Sequence, residues 1–303
     1  MIHKIYSYIV GKITKKTFNF WQRMGIHITP NHFYEPIPDT RVLNEKIWST
    51  PSELVGIDTN ESMQVALLAH FEEKFKIEYD AFPRIKTKTE HEYYTNNDGF
   101  ESVDGEILYC MIRHFKPKNI FEIGSGNSTY LSAQAILKNK ETDPTYDCKL
   151  ISIEPYPNKI LKKGFPGLSE LITEKVEDLP LSFFEKLNEN DILFIDSSHV
   201  LKIGSDVQCE FLEILPRLNK GVIVHFHDIF LPCEYLKRWI FKEHLFWNEQ
   251  YLLHAFLLFN DSFKIIWGGS FMHLNHSSKL QKAFSSYDPK KVRPGSFWIQ
   301  RTE

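Results

Sequence analysis

The fold of this chain is decided by one stretch, Phe121-Glu122-Ile123-Gly124-Ser125-Gly126-Asn127-Ser128-Thr129. Its first residues close a short apolar run that starts at Asn119, and the residues from Ser128 to Leu137 have helical periodicity. The glycines therefore lie between a strand and a helix, which is the context that gives a glycine motif meaning. Because two glycines allow a sharp turn and a close approach to a ligand, the stretch predicts a ligand-binding loop.

Apolar strands and amphipathic helices alternate on both sides of this loop, from about residue 100 onward. We predict further strands at 150–154, 171–176, 191–196, 221–227 and 263–267, and helices at 103–115 and 128–137. Short apolar runs separated by helices are typical of a parallel sheet with helices on both faces. We expect an α/β, Rossmann-like fold, in which residues 296–300 add an edge strand at the end.

The first 90 residues follow a different pattern. Apolar residues at intervals of three and four predict a helix near the start, and residues 62–79 predict another. Between them, prolines at 30, 36, 38 and 51 favour extended backbone, which indicates a linker or a lid. We therefore expect a helical extension over residues 1–90 and a second domain over residues 91–303.

The predicted first helix is strongly basic. No acidic residue occurs before Glu35, whereas the helix contains Lys4, Lys12, Lys15, Lys16 and Arg23. A basic amphipathic helix is suited to a membrane surface with anionic lipids, so residues 1–28 are a candidate for peripheral membrane contact. The same apolar face could instead pack on the chain's own domain or on a second subunit of a homo-oligomer.

Composition excludes several classes of protein. A net charge of −3 gives no reason to expect nucleic acid as the partner, and a small-molecule acceptor fits better. The four cysteines form no C-x-x-C pair, which argues against a zinc knuckle or a disulfide framework. Since no apolar run is long enough for a membrane span and no leader pattern is visible, we expect a cytoplasmic protein.

The residues around the glycine loop discriminate between cofactors. A dinucleotide fingerprint would have a third glycine where this chain has Thr129, and no P-loop lysine follows the loop. A carboxylate at Glu122 would repel a pyrophosphate and attract a ligand with an ammonium and a sulfonium, such as S-adenosylmethionine. Glu154, at the end of the next strand, suits the hydroxyls of a ribose but is shared with NAD enzymes.

Acids and a histidine close the later strands. Asp196 and Asp228 end two predicted strands, and His199 follows Asp196 by three residues. Ligands bind outside the carboxyl ends of the strands in such sheets, so these side chains are candidates for the catalytic edge. A hydroxyl nucleophile must lose a proton as it attacks, and an imidazole with a near-neutral pKa is suited to take it. We therefore predict His199 as general base, with Asp196 and Asp228 orienting the substrate or a metal.

These segments together, Glu122-Ile-Gly-Ser-Gly-Asn-Ser128, Glu154, Ile195-Asp-Ser-Ser-His199 and His225-Phe-His-Asp228, resemble the class I methyltransferases that use S-adenosylmethionine. Within that class the resemblance is to the catechol and macrocin O-methyltransferase-like groups. It implies a seven-stranded sheet with an antiparallel last strand. It also implies that Glu122 and the backbone of Gly124, Ser125 and Gly126 lie near the methionine end of the cofactor, Glu154 near the ribose, and Glu177 or Asp178 near the adenine.

The resemblance also bears on a metal. In macrocin-type enzymes an Asp-x-x-His segment supplies a metal ligand and the base, and an adjacent acidic pair completes a magnesium site. This chain has His227 in place of the second acid, and magnesium prefers oxygen ligands. The candidates for a softer divalent ion are Asp196, Asp228 and His227, and a site without metal is the alternative. His225 and His227 could equally be strand residues that pack on their neighbours.

The function that we predict is O-methylation of a small hydroxylated acceptor, of saccharide or natural-product type. N-methylation stays open because the cofactor-binding half of the sequence does not show whether the acceptor atom is oxygen or nitrogen. Two other classes of protein are also open. One is an NAD-dependent oxidoreductase or epimerase, against which Thr129 and Glu122 argue. The other is a non-catalytic binding protein on the methyltransferase fold.

Overall fold

A computed structural model describes the backbone of residues 2–303 and the side chains from residue 10 onward. The chain divides into two compact units. The smaller unit contains the residues up to Thr50 together with Leu236–Phe246, and the larger unit contains Pro51–Tyr235 and Trp247–Glu303. The sequence placed a domain boundary near residue 90, whereas the larger unit already begins at Pro51.

A seven-stranded sheet forms the centre of the larger unit, in the order β3-β2-β1-β4-β5-β7-β6. The strands are β1 (Asn119–Ile123), β2 (Lys149–Ile153), β3 (Glu170–Ile172), β4 (Ile192–Ile195), β5 (Ile223–Phe226), β6 (Phe263–Gly268) and β7 (Phe297–Arg301). β1 pairs in parallel with β2 and β4, β2 with β3, and β4 with β5. β7 runs antiparallel to both of its neighbours, as the resemblance implied.

The prediction that the last strand lies at an edge is wrong. β7 is inserted between β5 and β6, and β6 is the edge strand. Trp298 and Ile299 have no exposed surface, because the sheet continues on both sides of β7 and packing covers both of its faces. The position of a strand in the chain does not fix its position in the sheet.

Helices cover the two faces of this sheet. Those of the larger unit are α3 (Glu61–Tyr79), α4 (Asp104–Phe115), α5 (Asn127–Thr142), α6 (Lys159–Lys163), α7 (Asp206–Cys209), α8 (Glu249–Leu257) and α9 (Gly269–Ala283). The smaller unit contains α1 (Ile2–Arg23) and α2 (Lys46–Ser49). Short helical segments of 3₁₀ or π type occur at Thr40–Val42, Val176–Asp178, Leu181–Lys186, Glu210–Ile214, Leu215–Arg217 and Trp239–Glu243. No helix among the described residues combines the length and the apolarity that a bilayer span needs.

Strand alternation divides the apolar core into two clusters, one on each face of the sheet. In β1, Ile120 belongs to the cluster that includes residues of α3, α4, α5 and α9. Phe121 and Ile123 belong to the cluster on the other face, with residues near α7 and in α8. Glu122 therefore shares the face of Ile120 and lies beneath α5, and this orientation is important for the site.

Polar contacts attach α3 to the sheet and explain why the larger unit begins earlier than expected. The Asn60 side chain donates a hydrogen bond to the carbonyl of Ile265 at 2.9 Å. Gln64 is buried and accepts a hydrogen bond from the amide of Gly268 at 2.8 Å. Because buried polar groups need such partners, α3 packs as part of the sheet unit.

Replacement of Gly124 by alanine tests the packing between β1 and β4. Gly124 has a φ of +80°, and a Cβ on it would lie 1.9 Å from the carbonyl oxygen of Asp196. Since both backbones would have to move, we expect Gly124→Ala to lower the free energy of unfolding by about 3 kcal/mol or more, measured by denaturant titration.

The matched control is Gly126→Ala in the same loop. A Cβ on Gly126 would meet nothing within 4 Å. We expect a loss of about 1 kcal/mol or less, the ordinary effect of alanine at the N-cap position of a helix. Equal losses for the two variants would contradict the packing argument.

Candidate active site

A cavity of about 400 Å³ opens at the carboxyl ends of β1, β2 and β4. Such ends are the usual ligand-binding edge of a parallel sheet, and the volume lies within the range of small-molecule sites. Its walls include Gly124, Glu154, Tyr156, Glu177, Asp196 and Ser198. The cavity therefore brings together the end of the glycine loop and the first residue of the predicted catalytic edge.

The three loop residues predicted to bind the cofactor have different environments. Gly124 lines the cavity, whereas Ser125 and Gly126 do not contribute to its walls. The Ser125 hydroxyl is hydrogen-bonded to the hydroxyl of Ser152 on β2. The amide of Gly126 donates to Oγ1 of Thr129 at 3.0 Å, and so Thr129, where a dinucleotide site would have glycine, anchors the start of α5.

Glu122 does not face the cavity, contrary to the expectation that its anionic carboxylate lies near the cofactor. The side chain is 1% exposed, lies under α5 and does not line the cavity. Its Oε1 accepts a hydrogen bond from the Ser128 hydroxyl at 2.6 Å, and its Oε2 is buried with no hydrogen-bond partner. Burial raises the pKa of Glu122 to about 8, so the carboxyl is mostly protonated at neutral pH. Glu122 supports the loop from within, through Ser128, and any role at the cofactor stays a prediction.

The acids predicted to bind the nucleoside part lie at the cavity. Glu154, directly after β2, is part of the wall and accepts a hydrogen bond from the amide of Tyr156 at 2.7 Å. Glu177 is also part of the wall, and the ammonium of Lys175 lies 3.8 Å from its carboxylate. Asp178 is exposed and does not line the cavity. Of the two adenine candidates, Glu177 is therefore the one that lies at the cavity.

The catalytic edge predicted from sequence is a compact cluster. Nε2 of His199 lies 3.3 Å from Oδ1 of Asp196 and 3.7 Å from Oδ2 of Asp228. One ligand atom from each of the three side chains lies within 4.8 Å of the others. His199 and Asp228 have φ values of +59° and +55°, which are uncommon for residues with a side chain. Asp196 belongs both to this cluster and to the cavity wall.

Sequence reasoning missed the residues that hold the other side of His199. The carboxylate of Glu249, at the start of α8, lies 2.9 Å from Nδ1 of His199 and is 1% exposed. The Trp247 ring lies 4.3 Å from the imidazole. The amides of Asn248 and Glu249 donate to the carbonyl of His199. The start of α8 therefore fixes the ring, its tautomer and its backbone together.

Two carboxylates set the charge of His199. Burial alone would lower its pKa, but hydrogen bonds to Asp196 and Glu249 raise the pKa of His199 well above its usual value. Asp196 is ionised, since the effect of burial is outweighed by His227 and His199, which bring its pKa to about 2. The imidazole therefore keeps its proton at neutral pH in this arrangement. The prediction of His199 as general base assumes a near-neutral pKa, and the pKa of His199 in the structure is higher than that.

His225 in β5 and His227, directly after the strand, are both buried. His225 has no exposed surface, stacks on Phe194 at 3.9 Å and has no hydrogen-bond partner at either ring nitrogen. Burial lowers the pKa of His225 far below its usual value, so the ring is neutral. Nε2 of His227 lies 3.7 Å from Asp228, but His227 is not part of the three-residue cluster. His199, rather than His227, is the imidazole that joins Asp196 and Asp228.

The buried carboxyl of Glu122 predicts a specific dependence of stability on pH. Its pKa of about 8 lies above the usual 4.5, so the folded state holds a proton that the unfolded state releases. Between about pH 5 and 8 this group should therefore reduce stability as the pH rises, by up to ~1.4 kcal/mol per pH unit. We expect Glu122→Gln to remove this contribution, so that thermal unfolding of the variant depends less steeply on pH.

Glu154→Gln makes the same substitution at a carboxyl that lines the cavity, and it is the control for this measurement. If Glu122→Gln and the wild type show the same slope between pH 5 and 8, the protonation argument fails.

Comparison with known proteins agrees with this architecture. A family model described as a methyltransferase domain matches residues 121–229, from β1 to the residue after Asp228. An uncharacterized protein of Archaeoglobus fulgidus is 36% identical over 181 residues, which cover 56% of this chain and 78% of that protein. The residues matched by the family model include the glycine loop, Glu154 and the cluster around His199.

Two solved structures are similar at a greater distance. One is the O-methyltransferase from Bacillus cereus in complex with SAH, with 13% identity, a TM-score of 0.39 and coverage of 78% of this chain and 91% of that chain. The other is an apo structure of CmcI-N160, with 15% identity, a TM-score of 0.35 and coverage of 67% and 72%. Both TM-scores are below 0.5, so neither likeness bears on the activity of this chain.

The matched domain begins in β1, contains the glycine loop and ends just after β5, and the sheet around it has the strand order and the antiparallel β7 that the class implies. Residues 121–229 of this chain are therefore a methyltransferase domain, and the sheet that contains it has the fold of the class I methyltransferases.

Proposed function

We propose that this methyltransferase transfers the methyl group of S-adenosylmethionine to a hydroxyl oxygen of a small acceptor, of saccharide or natural-product type. One observation carries the proposal: Asp196 lines the cavity and also lies 3.3 Å from His199, so the proposed cofactor space and an acid–histidine cluster share a wall. A hydroxyl nucleophile needs a group that removes its proton, and this cluster is adjacent to the position where that is required.

The cavity residues fit the proposed cofactor. S-adenosylmethionine supplies an electrophilic methyl group on a sulfonium when it is bound. The carboxylate of Glu154 is suited to accept hydrogen bonds from the ribose hydroxyls, and Glu177 lies where it can contact the adenine. The missing Cβ at Gly124 lets the loop backbone reach the end of β4, which keeps the cavity wall continuous.

His199 is the proposed proton acceptor for the acceptor hydroxyl. Glu249 and Trp247 hold its ring with Nε2 directed towards Asp196 and Asp228. Asp196 and Asp228 would orient the acceptor and balance the charge of the imidazolium after proton transfer. The carboxylates keep a proton on His199 at neutral pH. His199 can therefore act as a base only after its ring has released that proton.

A divalent metal ion is the second candidate for the same cluster. Two carboxylates and one imidazole, with ligand atoms within 4.8 Å of one another, suit an ion of intermediate softness such as Mn²⁺ better than Mg²⁺. A carboxylate on the far nitrogen, here Glu249, is the usual partner of a metal-binding histidine. Such an ion would polarise the acceptor oxygen. Nε2 cannot bind an ion and accept a proton at once, so the two roles of His199 exclude each other.

The cofactor assignment is tested by calorimetry with S-adenosylmethionine and S-adenosylhomocysteine. We expect heat of binding and a higher Tm with both ligands. Glu154→Gln should weaken binding about tenfold or more, because hydrogen bonds to a charged group contribute about 1.5–3 kcal/mol. Glu170→Gln, an exposed acid on β3, is the matched control and should bind as the wild type does. An absence of heat and of any thermal shift with both ligands would rule out the cofactor assignment.

The role of His199 is tested with Mn²⁺ titrations and with transfer assays on panels of sugars and phenols. If His199 is a ligand, the wild type binds Mn²⁺ and His199→Ala binds it at least tenfold more weakly. If His199 is the base, Mn²⁺ does not bind and His199→Ala loses transfer but keeps its affinity for S-adenosylhomocysteine. His244→Asn, at an exposed position, serves as the control. Unchanged Mn²⁺ affinity together with unchanged transfer in His199→Ala would remove this residue from both roles.

A further inference from the structure

Helix α1 and the turn directly after it have a row of large apolar side chains that are exposed to solvent. Ile13, Phe20 and Met24 are 55%, 58% and 65% exposed. Because a helix turns by about 100° per residue, spacings of seven and four place these three side chains within about 40° of one another. Exposed apolar side chains are common singly, whereas an aligned row on one helix face is typical of a surface that binds something.

Basic side chains border this row. Lys16 and Arg23 lie about 60–80° from its centre on the same side, and Lys15 lies farther round the helix. All three are exposed, and none forms an ion pair with another described residue. The chain has no acidic residue before Glu35, so α1 has no negative charge of its own to balance them. The exposed surface of α1 is therefore both apolar and positively charged.

The segment after α1 continues this character. Ile26 and Ile28 are 50% and 39% exposed, and Phe33 and Tyr34 are 81% and 83% exposed. The rings of Phe33 and Tyr34 lie 4.3 Å apart and so form one aromatic patch. Aromatic side chains of this kind are favoured at the boundary between lipid headgroups and acyl chains.

We propose that α1 binds the surface of a membrane that contains anionic lipid, with Ile13, Phe20 and Met24 inserted among the headgroups. The charges decide against a second copy of the same helix as the occupant. Two α1 helices face to face would bring lysines and an arginine together with no carboxylate on either helix to pair with them. Anionic headgroups supply the missing negative charge, and each basic residue near such a surface raises the partition coefficient about fivefold.

The apolar part of the proposal is tested with Phe20→Gln/Met24→Gln in the full chain. The readout is co-sedimentation with vesicles of phosphatidylcholine mixed with phosphatidylglycerol. We expect the partition coefficient to fall about tenfold or more, because less apolar surface is buried in the lipid. Both side chains are exposed in the free protein, so the fold should be unaffected. Ile77→Gln, which removes a 91% exposed apolar side chain from α3, is the matched control and should bind as the wild type does.

The electrostatic part is tested with Lys16→Glu/Arg23→Glu, the two basic residues that border the row. Two reversed charges should lower the partition coefficient about 25-fold or more, and binding of the wild type should weaken as salt is added. Lys162→Glu/Lys163→Glu changes an adjacent, exposed pair of lysines on α6 in the same way and is the control. Vesicles of phosphatidylcholine alone should bind the wild type weakly.

Three results would overturn the proposal. The first is no sedimentation of the wild type with anionic vesicles, and the second is equal binding to neutral and anionic vesicles. The third is a concentration-dependent dimer in analytical ultracentrifugation that Phe20→Gln/Met24→Gln abolishes, which would identify a second copy as the occupant of this face. None of these readouts depends on the cofactor or the acceptor, so they are independent of the proposed function.

Discussion

The contact between the glycine loop and the end of β4 is the constraint on which the site depends. The carbonyl oxygen of Asp196 occupies the space in which a side chain at position 124 would lie. Backbone hydrogen bonds fix this approach: the amide of Asp196 donates to the carbonyl of Ile123, and the amide of Gly124 donates to that of Ile153. Three neighbouring strands thus end in a single rigid edge. A cofactor loop and an acid–histidine cluster can share a cavity wall only because a glycine allows this contact.

The cluster around His199 is costly to the folded protein, which argues that it exists for chemistry. One carboxylate oxygen of Glu249 and one of Glu210 are buried without a hydrogen-bond partner. Burial raises the pKa of both acids. The charge of Glu249 makes Glu210 still harder to ionise. Positive φ values at His199 and Asp228 add backbone strain. A chain selected for stability alone would replace such groups with apolar ones, so their presence beside the cavity supports a catalytic role.

Sequence reasoning recovered the elements whose signals are local. β1 was predicted with its observed bounds, because a continuous apolar run ends at a glycine turn, and the acids that follow β2, β4 and β5 were placed at the correct edge. The position of β7 was not predictable, because a terminal apolar run does not show which strands it separates. Glu249 was also missed, because it lies 50 residues from His199. An acid at the start of a helix stabilises the helix itself, so its position there did not indicate a site. The orientation of Glu122 could have been found, since strand alternation puts it on the face opposite Phe121 and Ile123.

The hydrogen bonds and ion pairs described for His199 come from residues of the larger unit. The chain leaves this unit after Tyr235 and returns at Trp247, two residues before Glu249. The amide of Gln250 donates a hydrogen bond to the Tyr235 hydroxyl and so joins the residues on either side of this segment. The Gln250 side chain adds two more hydrogen bonds, since it accepts from the amide of Phe230 and donates to the carbonyl of Cys233. Glu249 is thereby held against His199 by residues of the larger unit. Asp196, His199, Asp228 and Glu249 therefore all belong to the larger unit.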